Sequence, residues 1–447
     1  MKYDLIIAGG GTAGCACAYT AGKLGLKTLL IEKNSFLGGT MTSSLVTPAM
    51  SSGTNNLINF EFYKELMAEL NLIGGQITYA DGNIGWFNPE LLKIVLDRMM
   101  DKSNVDVILN SSIDEIVITK GYIKGVYLDK LSHKSLLYSD TIYTDNNIEE
   151  DKMLSEYIET NYLVDGTGDA KIFEKLNLKF LNILDNFSEK KYQPINLRFI
   201  MSGIDLKTFS EWIMNLDNNR DVTTSCIIND EIHLSTAYTW DNDKNWALEP
   251  VFKQGIKDGI ITEADSNYFQ VFSIPGMQSS LAFNCPRLMI NSEFNPEDSI
   301  IKSKLLKQGR ESIFRLSNFF KKYFKGFENA YISSIANSLG IRVSNRINGK
   351  YVYSIDDLRT GKIFDNPVLI SKYPVDIHSL NKNNSVLEKQ EQEYMLPIES
   401  LMSKEYDNLF AIGRCISADF ESQAALRIIP SCFAMGEGLA KHLAKTK

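Results

Sequence analysis

The chain has 447 residues, 44% hydrophobic and 23% charged, which is enough to bury a large core and to divide into two or three domains. A net charge of -8 and a pI near 5.3 argue against nucleic acid as a partner, because no basic stripe could release its counterions, and no apolar run is long enough to span a membrane. Cys15, Cys17, Cys226, Cys285, Cys415 and Cys432 are scattered and form no CxxC pair, which argues against a disulfide framework or a metal site and suits a reducing, cytoplasmic compartment.

Tyr3 to Ala8 is an apolar run suited to a strand buried on both faces, and Gly9, Gly11 and Gly14 follow it with the spacing GxGxxG. In that arrangement Gly9 makes a tight turn, Gly11 admits a pyrophosphate against the backbone, and Gly14 lets the next helix pack on the strand. That helix is predicted over Thr12–Leu24, ending at Gly25, so the N–H groups of Thr12 and Ala13 and the positive dipole end face a diphosphate. Lys27 to Ile31 gives a second strand, and Glu32 closes it where an acid bonds both hydroxyls of an adenosine ribose. Glycines alone mark ordinary turns and strand-end carboxylates are commonly solvated, but strand, glycines, helix, strand and acid in this order specify a dinucleotide site.

Asn88-Pro89-Glu90 reads as a capped helix start, and Leu91, Leu92, Val95, Leu96 and Met99 recur at helical spacing as core residues. Strands are predicted over Val105–Leu109, Asp114–Thr119 and Ile123–Leu128, the last two joined by a hairpin at Lys120-Gly121. The acidic stretch Asp140–Glu159 reads as a surface insertion. Next, Tyr162 to Asp165 forms a short strand running into Gly166-Thr167-Gly168-Asp169-Ala170, either a plain tight turn or a second approach to the nucleotide.

From about Phe180 to Asp376 the pattern changes to mixed strands and helices rich in aromatics, with no phosphate-type glycine loop. Leu305, Leu306, Ile313, Leu316 and Phe320 predict a long helix over Ser299–Phe324, and Arg342 and Arg346 would share a face if helical. At the C-terminus a strand is predicted from Asn408 to Gly413, then a loop, then a helix opened by Pro430 and running through Ala440.

With these motifs the chain resembles FAD-dependent oxidoreductases of the glutathione-reductase-like superfamily, in the branch related to fumarate reductase flavoproteins. The resemblance rests on the acid-ended βαβ unit, on Gly38-Gly39-Thr40-Met41-Thr42-Ser43, on the turn after Asp165, and on the segments Asn408–Glu421 and Arg427–Cys432. It implies an α/β fold in which a Rossmann-like FAD-binding domain with a parallel sheet, residues 1–180 and 381–447, is interrupted by a mixed α/β substrate domain, residues 181–380. It also implies that Gly9, Gly11, Thr12, Ala13, Gly14 and Glu32 hold the adenosine diphosphate, and that Lys33, Gly39, Thr40 and Met41 lie along the pyrophosphate and flavin. Gly166, Gly168 and Asp169 then return to the dinucleotide, as do Gly413 and Arg414. Ile429 and Ser431 open a helix whose dipole favours negative charge at the pyrimidine edge of the flavin.

Two positions depart from the family pattern: Arg414 stands where more distant relatives often carry an acid for the ribityl chain, and Phe420 stands where many close relatives have a histidine. The segment Ala282–Arg287 also resembles a recurrent family segment, which makes Asn284 a weak site candidate. The segments Gly340–Arg346 and Tyr373–His378 resemble the part facing the flavin, so Arg346, Arg427 and His378 are the expected substrate-side residues. Arginine forks suit a carboxylate or phenolate, and His378 is the one histidine of four (His133, His233, His378, His442) within such a motif, a candidate for proton transfer. The implied activity is hydride transfer between FAD and a small organic substrate, a carboxylate or an enone, with an electron partner and oligomeric state that the sequence does not specify. A nicotinamide-dependent dehydrogenase would use only the N-terminal fingerprint and leave the later glycine motifs without a job. A flavin-binding protein without turnover would use them all.

Overall fold

A computed structural model describes residues 1–79, 81–129, 157–181, 193–239, 241, 243–288, 298–378 and 386–446. Strand β1 (Lys2–Ala8) leads through the glycine turn into helix α1 (Thr12–Lys23) and strand β2 (Thr28–Ile31), which lies parallel to β1 with Ile7 opposite Leu30. Helix α2 (Pro89–Lys102) is capped by the Asn88 side chain and delivers strand β3 (Val105–Ile108) parallel to β2. Strands β4 (Ile113–Thr119) and β5 (Tyr122–Leu128) form a hairpin, and strand β6 (Ile158–Asp165) then returns parallel to β1 on its other side. Because Leu5, Ile6 and Ile7 point to both faces and are all fully buried, β1 takes the centre of this sheet. Most of the insertion expected at 140–159 lies outside the described residues; Ile158 and Glu159 open β6.

The middle of the chain builds a different sheet. Strands β7 (Phe199–Ser202), β8 (Thr223–Ile228), β9 (Glu231–Ala237), β10 (Gln270–Ser273) and β11 (Leu281–Phe283) are joined by helix α3 (Ser299–Tyr323) to strand β12 (Tyr331–Ile335). Their order is β8-β9-β10-β11-β7-β12, and every pairing is antiparallel. The sequence predicts mixed structure here without this ladder, because its partners are far apart in the chain. Helix α3 is capped by Asp298 and buries Leu305, Ile313, Leu316 and Phe320, together with Phe319, against the sheet. Phe283 stacks with Phe199 at 4.7 Å and with Phe320 at 5.1 Å, so the core of this layer is largely aromatic.

The C-terminal segment closes the first sheet. Strand β13 (Leu409–Ala411) pairs parallel with the last residues of β6, on the edge that β5 occupies further back. Helix α4 (Ile429–Lys445) then packs on α1, longer at both ends than the helix predicted from Pro430 to Ala440. A short helix, Phe420–Leu426, capped by Asp419, occupies what the sequence suggests is a loop. The α1–α4 contact is close because small residues meet: a side chain on Gly436 would come within 2.1 Å of the Ala13 carbonyl oxygen. Residues 353–377, expected in the inserted domain, bury Tyr353, Leu358, Val368, Leu369, Val375 and Ile377 in the core of the first layer. The second expected junction, at 380–381, lies outside the described residues. No helix among the described residues is long and apolar enough to cross a membrane.

Candidate functional site

A cavity of about 820 Å³ runs from the C-terminal ends of β1, β2 and β6 to the antiparallel sheet. Its nucleotide-like end is made by glycine turns in backbone contact. Gly9 has φ +102°, and a Cβ there would lie 2.6 Å from the Gly166 carbonyl oxygen, so the turns after β1 and β6 touch directly. Gly38 donates its N–H to the Gly10 carbonyl at 2.8 Å, and Gly39 (φ +53°) leaves only 2.7 Å between an added Cβ and Gly11 Cα. Gly11 itself is the exception: a Cβ there would meet nothing nearer than 3.9 Å, and its surface faces the cavity.

Thr12 and Ala13 bring the start of α1 to the wall, and Ile429 brings the start of α4. Neither helix has a side-chain cap, whereas α2 and α3, which begin elsewhere, are capped by Asn88 and Asp298. Uncapped N–H groups are donors for an anion. Glu32 lines the same end, with one carboxylate oxygen accepting from Gly10 N–H at 2.7 Å and the other from Asn34 N–H at 2.8 Å. Lys33, Gly39 and Thr40 continue this wall.

Gly166, Gly168, Asp169, Gly413 and Arg414 also line the cavity, Gly166 and Gly413 next to the turn after β1. Arg414 is a clamp between chain segments: it donates to the Gly168 carbonyl at 3.0 Å, to the Ile341 carbonyl, and to the Asp169 carboxylate. Burial alone would raise the Asp169 carboxyl, but the Arg414 charge, a hydrogen bond from Ser344 and the Lys33 charge together hold it below the usual range. Asp165 does something else. It is fully buried and accepts from Thr167 N–H and Oγ1 and from Ile172 N–H, so it shapes the turn rather than facing the cavity. Gly14, Met41 and Ser431 also lie off the wall: Gly14 sits under the Gly9 carbonyl, where a Cβ would come within 1.9 Å, and Met41 and Ser431 are fully buried.

The far end is rich in arginine. Arg198, Arg342 and Arg427 line it, and Arg287 lies behind Tyr268 and His378, its Cζ 3.8 Å from the Tyr268 ring centroid. Burial, and then the charges of Arg427, Arg287 and Arg198, hold Arg342 well below the usual arginine range; burial brings Arg198 and Arg287 down to about 10. Asp376 is the carboxylate among them. Burial works against its charge, but His378, Arg427 and Arg342 hold it below the usual range. His378 Nε2 lies 3.2 Å from Asp376 Oδ2 and its Nδ1 lies 3.0 Å from Arg287 Nη2; burial and the Arg342 charge push the imidazole down to about 3. Asn284 faces the cavity and donates to Gln270 Oε1 at 3.0 Å, which also accepts from the Tyr268 hydroxyl at 2.9 Å.

Arg346 is elsewhere. Its side chain is 1% exposed and donates to the Ala418 carbonyl at 2.6 Å, behind the wall and out of a substrate's reach. Residues 341–345 are not helical and Arg346 begins a strand, so Arg342 and Arg346 share no helix face. Arg198, Tyr268, Gln270 and Arg287 escape the sequence argument. A lone arginine in the apolar run Ile195–Met201 is a signal for Arg198, since a charge in such a strand needs a reason. No local pattern marks Tyr268 or Gln270.

The cavity fits FAD: an uncapped start of α1 for the diphosphate, an uncapped start of α4 for negative charge on the flavin, a buried acid, a glycine floor without side chains, and a volume in the range of cofactor sites. The model of the FAD dependent oxidoreductase family matches residues 4–445. The tRNA uridine 5-carboxymethylaminomethyl modification enzyme MnmG of Lachnoclostridium phytofermentans is 24% identical over 318 residues, 62% of this chain and 50% of that protein. Digeranylgeranylglycerophospholipid reductase 2 of Methanothermobacter thermautotrophicus is 27% identical over 143 residues, 28% of this chain and 34% of that protein. The chain thus spans half or less of the length of these curated relatives. Among solved structures, a flavoprotein/dehydrogenase from Cytophaga hutchinsonii aligns over 100% of this chain and 80% of its own at 10% identity, with a TM-score of 0.48. On the whole-length match and the fit of these residues, the chain belongs to the FAD dependent oxidoreductase family, with FAD as its cofactor.

Proposed function

We propose that the protein passes a hydride between FAD and a small anionic organic substrate, a carboxylate or an enone that carries one, held at the arginine-rich end of the cavity. The observation that carries this reading is the charge imbalance there: Arg198, Arg342 and Arg427 line this end, Arg342 feels the charges of the other two, and Asp376 is the one carboxylate lining it among the described residues. Gathering like charges out of water is costly unless a counter-charge joins them, so the site is complementary to an anion. Bound FAD supplies the two-electron chemistry. The chain's own part is to orient the substrate through planar guanidinium forks, to exclude water with the Tyr268, Phe272 and Tyr373 walls, and to stabilise negative charge that develops on the substrate.

Arg427 is the favoured substrate-side residue from the sequence motif, because it lines the cavity and donates to the Asp376 carbonyl and to Gln193 Oε1, each at 3.1 Å. The test is photoreduction of the FAD-loaded protein without oxygen, followed by mixing with unsaturated carboxylates and enones while the flavin absorbance is followed. Reoxidation faster by anionic acceptors than by neutral ones of the same skeleton supports the reading. Equal rates for both would sink it. A protein whose flavin reoxidises with no organic acceptor would instead be a flavin-binding protein without turnover.

A further inference from the structure

Asp376 stands between two arginines and reaches them by different routes. Its backbone carbonyl accepts from Arg427 Nη2 at 3.1 Å and its carboxylate lies 3.7 Å from the same nitrogen. In the other direction the carboxylate meets His378 Nε2 at 3.2 Å, and across the ring His378 Nδ1 meets Arg287 Nη2 at 3.0 Å. An ionised carboxylate only accepts and a guanidinium only donates. One proton arrangement satisfies both contacts: Nε2 carries the hydrogen towards Asp376, and Nδ1 offers its lone pair to Arg287. A proton on Nδ1 would set N–H against N–H. The Arg287 guanidinium is held on its other side by the Tyr268 ring, so phenol and imidazole together fix its plane.

We propose that His378 is a positioning residue, not the group that exchanges a proton with substrate: it is a neutral link through which Asp376 fixes Arg287, while Asp376 fixes Arg427 directly. Arg427 then faces the cavity directly, while Arg287 acts on it from behind through the Tyr268 ring that it stacks on, a ring that lines the cavity. The identity of the cavity's ligand rests on the anionic-substrate reading, whereas the proton assignment does not. Among the described residues, the charged and titratable groups around the imidazole are Arg287 and Asp376 in contact, Tyr268 with its ring centroid 6.4 Å away, and Arg342 acting through its charge. Beyond Asp376 lie Tyr373, whose hydroxyl donates to its carboxylate at 3.4 Å, and Arg427. Among these, only Asp376 favours an imidazolium, and its oxygen is already served by the neutral Nε2–H form.

The proton assignment can be read without a substrate. The FAD-loaded protein is labelled with 15N-histidine, the His378 signals are assigned by their loss in His378→Gln, and long-range 1H–15N spectra are recorded from about pH 8 to about pH 5, the range in which an ordinary imidazole titrates. The expected result is an Nε2–H, Nδ1-bare neutral ring throughout. An Nδ1–H tautomer, or an imidazolium forming within that range, would overturn the proposal. The linkage is read by titrating the same protein with benzoate and following the flavin absorbance. His378→Gln, whose amide can donate and accept, should stay within about threefold of wild type, and His378→Leu should bind about tenfold more weakly, the worth of one charge-assisted hydrogen bond. Wild-type affinity in His378→Leu overturns the linkage. If benzoate fails to bind the wild-type protein at all, the anionic-substrate reading falls, and the spectra still decide the proton assignment.

Discussion

Gly11 and Gly14 lie three residues apart in one turn, yet the structure gives them opposite tasks, and alanine at each separates folding from cofactor binding. At Gly14 an added Cβ would lie 1.9 Å from the Gly9 carbonyl oxygen, a backbone atom that cannot swing away. Relieving that overlap requires α1 to move off β1, an overpacking cost of about 1–3 kcal/mol or more. At Gly11 the nearest atoms are 3.9 Å away and φ is -79°, so alanine fits the fold. The loss of a favoured N-cap residue, on the order of 0.5–1 kcal/mol, is offset by a stiffer unfolded chain worth about 0.4–1 kcal/mol. The methyl group would nevertheless stand on the cavity floor, where a diphosphate must approach the backbone. An overlap of about 1–3 kcal/mol there weakens FAD binding roughly 5- to 150-fold. The assay uses apoprotein: thermal unfolding without FAD, and FAD titration followed by fluorescence quenching. Gly14→Ala should lower the Tm by several degrees, while Gly11→Ala should leave the Tm within about 2 °C and lose FAD affinity. If Gly11→Ala binds FAD as wild type does, the cofactor does not cross that floor, and the placement of the dinucleotide is refuted.

Other outcomes follow from the same geometry. Arg414→Met and Asp169→Asn should each destabilise the fold by about 3 kcal/mol in denaturant unfolding, and the double variant by well under the sum, because each single change strands the other group. Asp169 is held low in the folded state, so its contribution is complete above the unfolded value near pH 4 and is lost as pH falls through the folded value; the gap between wild type and Asp169→Asn should close in acid. His378 shifts stability in the same direction, across a window that begins at higher pH. An unfolded imidazole binds a proton near pH 6.5 while the folded one stays neutral to about 3, so the unfolded state takes up more protons between these values, and stability should fall with pH across that window less steeply in His378→Gln. Gly436→Val should separate α4 from α1 and lower both Tm and FAD content, since its Cβ would lie 2.1 Å from the Ala13 carbonyl oxygen.

The local, repeating features of this protein could be read from its residues. The β1–α1–β2 unit, the acid at 32 and the helix starts at 88 and 429 follow from periodicity, glycine spacing and capping chemistry, because each depends on neighbours within a few turns of chain. The family resemblance extended this to the later glycine turns. Gly166 and Gly39 do meet Gly9 and Gly11, although nothing in their spacing requires it. What tertiary structure alone decided is which polar side chains gather at one cavity wall or directly behind it. Arg198 comes from β7's approach, Tyr268 and Gln270 from the start of β10, Arg287 from beyond β11, and Asp376 with His378 from a strand more than 80 residues further on. Their meeting depends on an antiparallel ladder whose strands pair across long separations, and no local pattern encodes such pairing. Arg346 makes the same point in reverse: its motif suggested the substrate, but a two-residue strand turns it to the Ala418 carbonyl, since a buried guanidinium goes wherever the fold leaves an acceptor.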